Sequence, residues 1–131
     1  MITFAEVPSF IGARVPETVG MAEYDRDNPY MLFAQLRGLA FVWAVQKSEA
    51  NIAKLMDALE ALVTDGDGQV RTLVATGLLE TLTSAPVGQT LALVSQMGPE
   101  TWSLFCAMEV GWSGKMPATR PARSALKRKR R

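Results

Sequence analysis

The chain has 131 residues, of which 48% are hydrophobic and 21% charged, ordinary values for a single globular domain and too short for two independent cores. Its formal net charge of +1 conceals a division: residues 1–114 hold six basic and thirteen acidic residues, a net −7, whereas residues 115–131 hold eight basic and no acidic ones. The chain has no histidine, which excludes every Ser-His or Cys-His dyad and, with Cys106 as the single cysteine, a Cys/His zinc site.

Pro8, Gly12, Pro16 and Gly20 punctuate the first 28 residues, so any helices there are short. One begins after Thr3; another starts at Pro16 and runs to about Tyr24. Asn28 is a good N-cap and Pro29 a good first helical residue. From there residues 29–47 read as a long helix, with Phe33, Leu36, Ala40 and Trp43 at helical spacing and Tyr30, Met31, Phe41, Val42 and Val45 extending the apolar surface round most of the cylinder. Such a helix is expected to be central and contacted on several sides. Its apolar run at residues 39–45 is far short of the ~20 residues of a membrane span, and the N-terminus has no basic region leading into an apolar stretch, so no secretory signal is expected.

Ser48 is the next candidate cap. Residues 49–64 place Ile52, Leu55, Met56, Leu59, Leu62 and Val63 on one face and Glu49, Lys54, Asp57 and Glu60 on the other. The turn Thr64-Asp65-Gly66-Asp67-Gly68 ends this helix, and Asp67 is placed to cap the next, over residues 69–83, where Gly77 sits mid-stripe as a site of close helix approach. Residues 86–97 form a shorter helix with Gly98 as its C′ residue. Pro99 starts the last, with Trp102, Phe105, Met108 and Trp112 inward. The pattern is all-α: a compact antiparallel array of about five or six helices over residues 1–113, followed by a basic, Pro-containing tail over 114–131.

Residues 55–82, LMDALEALVTDGDGQVRTLVATGLLETL, resemble one HEAT repeat: an amphipathic helix, an Asp-rich turn, then Val70-Arg71 opening a second helix. No second copy follows, so a single HEAT-like hairpin inside a bundle is expected rather than a solenoid. A wider resemblance rests on Val7-Pro8-Ser9-Phe10, on the run from Asn28 to Phe33, on Asp65-Gly66-Asp67 with the run from Val70 to Glu80, and on Met97-Gly98-Pro99-Glu100. In that order these features resemble a family of small bacterial proteins, some of which serve as immunity partners of polymorphic toxins. The resemblance implies a protein-binding role and brings no catalytic residues with it.

Candidate chemistry is sparse. The turn at Asp65 resembles the start of a calcium loop, but its fifth position is Gln69 and its twelfth Thr76, so the EF-hand ligand set fails and helix capping is expected instead. Glu23, Asp25 and Asp27, with Asp57 and Glu60 at i, i+3, form acidic clusters that no motif organises for catalysis or metal binding. They are expected to make an acidic, partner-binding surface. Trp43, Trp102 and Phe105 are expected in the core, with Trp112 partly exposed, and Cys106 is expected to be a buried thiol in a reducing, cytoplasmic compartment. In the tail, Lys127, Arg128, Lys129, Arg130 and Arg131 form a cationic cluster suited to phosphate or an acidic partner, without the aromatic residues that base stacking needs. The leading expectation is a non-enzymatic immunity or inhibitor protein without cofactor or metal, acting on a cognate toxin or effector. The alternative is a nucleic-acid-associated or scaffold protein using the tail.

Overall fold

The computed structural model describes residues 1–18, 28–82 and 84–112, the last four of these through their backbone alone. A 3-10 turn at Phe4–Glu6 leads into α1 (Val7–Arg14), and a second turn covers Pro16–Thr18. Then follow α2 (Pro29–Gln46), α3 (Glu49–Asp65) and α4 (Gly68–Val74). The path of α4 continues without a break through a π turn at Ala75–Leu79 into α5 (Glu80–Leu82), before α6 (Val87–Val94) and α7 (Pro99–Trp112). The architecture is all-α. Among the described residues the sole β pairing is an isolated bridge between Ile2 and Gly66.

Local chemistry sets most boundaries. Asn28 and Pro29 open α2, although Asn28 contributes its carbonyl, accepting from the N–H groups of Met31 and Leu32, rather than its side chain. Lys47 ends α2 in the left-handed conformation, φ 57°, and the N–H of Ser48 returns to the Trp43 carbonyl at 2.9 Å, an arrangement that satisfies the last carbonyls and turns the chain within two residues. Asp67 caps α4, its Oδ1 accepting from the Val70 N–H at 2.9 Å. α6 ends at Val94, three residues before the expected position, and Ser95, Gln96 and Met97 are buried in the link to α7.

α3 packs against α1, α2, α4 and α7, and α2 lies against α3, α6 and the π turn. Leu55, Leu59 and Leu62 of α3 and Leu32, Phe33 and Leu36 of α2 are fully buried at the centre of the resulting core. Two features depart from the sequence pattern. First, the helix read over residues 69–83 is not regular α: the π turn inserts at Ala75 and carries Gly77 against Phe33, where a Cβ on Gly77 would stand 3.1 Å from the Phe33 Cβ. Second, α2 is not enclosed on all sides. Its inner face is buried, but Met31, Val42 and Val45 are open to solvent, because the described elements that pack on it lie against its inner side.

Candidate functional site

Of the acidic residues expected to form a binding surface, Glu23, Asp25 and Asp27 lie outside the described residues. The structure separates the other two. Asp57 is exposed on α3. Glu60, one turn further, reaches across to α7: its Oε2 accepts from the Glu100 N–H at 3.0 Å, and its Oε1 accepts from the Thr101 N–H at 2.9 Å and the Thr101 hydroxyl at 2.8 Å. A carboxylate at this position satisfies orphan amide donors and meets the positive end of the helix. Gly98 makes the approach possible, since a Cβ there would collide with the Glu60 carboxyl group. The role expected for Gly98, closing the preceding helix, therefore gives way to leaving room for a cap supplied forty residues earlier.

Asp57, the outer side of Glu60 and exposed Glu100 thus share one edge, where α3 meets the start of α7. Sequence reading singled out the first two and missed Glu100, whose only local signal was its place just after Gly98-Pro99. The acidic turn is also occupied by the fold. The Ile2 N–H donates to the Asp65 carbonyl at 2.8 Å, and the Asp67 N–H donates to the Ile2 carbonyl at 3.1 Å, tying the N-terminus to the turn. Gly66 sits where a Cβ would run into the Leu62 carbonyl and the Val70 side chain. Among the described residues no three acidic or cysteine side chains converge as a metal site would require.

Lys54 joins three elements. Its Nζ is 2.7 Å from Glu17 Oε2 and 5.9 Å from the centroid of the Trp43 ring. The Lys54 ammonium holds the Glu17 carboxyl below the usual carboxylate range, and hydrogen bonds from the Thr3 N–H and hydroxyl do the same for Glu6. A depressed carboxyl contributes stability above its unfolded pKa and loses it as the pH falls through the folded value. The stability difference between wild type and Lys54→Met is accordingly expected to be below about 1 kcal/mol near neutrality, because the pair is exposed, and to shrink in acid and in high salt. A denaturant titration at several pH values measures it, and a difference that grew in acid would contradict the assignment.

Trp43 and Phe105 are buried as expected and Trp102 is partly buried, while the side chain of Trp112 lies outside the described part of the structure. Cys106 is half-buried rather than buried, since it sits beside rather than on the inward stripe of α7. A shallow, open groove of about 220 Å³ lies between α2 and α6, lined by Phe41, Thr81, Ser84, Ala85, Pro86 and Gln89. It has apolar walls and no ionisable group. Its two hydroxyls donate to local carbonyls, Thr81 to Leu78 and Ser84 to Thr81, so it offers a surface for contact rather than for chemistry. The cationic cluster from Lys127 to Arg131 lies outside the described residues. No described helix is long and apolar enough to cross a membrane.

Comparison with known proteins returns one family model, described as a domain of unknown function (DUF7674), which matches residues 8–113. No curated protein and no solved structure matches the chain.

Proposed function

The chain belongs to the DUF7674 family, and we propose that it is a non-catalytic binding domain: a cytoplasmic immunity or inhibitor protein that neutralises a cognate bacterial toxin by direct contact. The observation that carries this reading is the charge division, with a net −7 over residues 1–114 in a chain that has no histidine. Acidic surfaces of this kind speed encounter with a basic groove and occlude it once bound. Exposed Asp57 and Glu100 supply charge at the α3–α7 edge, and Glu23, Asp25 and Asp27 add to it in sequence. Glu60 contributes mainly by fixing the start of α7. The α3–α4 pair, read as HEAT-like from its Asp turn and Val70-Arg71, serves as the frame on which that edge is held.

Co-purification with the product of the neighbouring gene, at low and high salt, tests the proposal. The expected result is a complex that suppresses the partner's toxicity, associates more slowly in salt, and survives deletion of residues 115–131. A neighbouring product that neither binds nor is toxic removes the reading. The eight basic residues of the tail favour a second one, a nucleic-acid-associated or scaffold protein. In that case the same deletion abolishes binding to duplex DNA or RNA, together with its steep dependence on salt.

A further inference from the structure

We draw no further inference here: the strongest candidate, the shallow apolar groove between α2 and α6 lined by Phe41, Pro86 and Gln89, has no ionisable group to select a ligand, and nothing in the structure shows what covers it.

Discussion

Phe33→Ala is expected to lower the folding stability by about 3–5 kcal/mol, the range for emptying a large aromatic site in a close-packed core. Phe33 has no exposed surface and lies under the π turn, with Gly77 against its ring. The loss combines the ring's transfer from water with the cavity that remains beneath the π turn. The same geometry gives a sharper test. Gly77→Ala would set a methyl group 3.1 Å from the Phe33 Cβ and 3.2 Å from its Cδ2, so overpacking is expected to cost about 1–3 kcal/mol. Combined with Phe33→Leu, whose smaller side chain yields space, the alanine is expected to cost less than it does alone. Chemical denaturation of the four proteins in the cycle measures the coupling. Strict additivity would mean that the close approach of Gly77 and Phe33 does not govern this part of the fold.

Glu60→Ala carries the second large effect, about 2–3 kcal/mol, because three donors lose a charged acceptor at once. One of them is the hydroxyl of Thr101, which has no exposed surface. Glu60→Gln retains one acceptor oxygen and is expected to recover about half of the loss. Gly98→Ala approaches the same cap from the other side, by pushing the Glu60 carboxyl group away. It is expected to be costly in the wild type and nearly neutral once Glu60 is alanine. Melting curves distinguish these outcomes: a Gly98→Ala penalty that persists in the Glu60→Ala background would show that the glycine serves something else. The pair also bears on binding. Asp57→Lys changes surface charge alone, so its effect on a partner's association rate reports the acidic edge directly, whereas Glu60→Ala acts through the start of α7.

Much of the fold is legible in the chain because helix periodicity and punctuation are local. The apolar spacing from Ile52 to Val63, the Asn28-Pro29 start and the Asp67 cap each involve residues within a few positions of one another, and each appears where its chemistry places it. The acidic surface is less legible. Asp57 and Glu60 share a face of α3 in any helix containing them, but which of them meets solvent depends on where α7 arrives, forty residues later. No spacing rule carries that information.

By itself, then, the sequence determined the all-α class, the main helices and their order, the absence of histidine chemistry and the separation of charge, since these depend on composition and on contacts along the chain. Tertiary structure decided the rest. Packing against α2 accompanies the π turn at Gly77, whose altered hydrogen-bond pattern no local propensity specifies. The bridge from Ile2 to the Asp65 turn and the cap that Glu60 lends to α7 join groups far apart in sequence. The open side of α2 was decided in the same way: its residues are apolar nearly all round, so only the placement of its neighbours settles which of them stay in water.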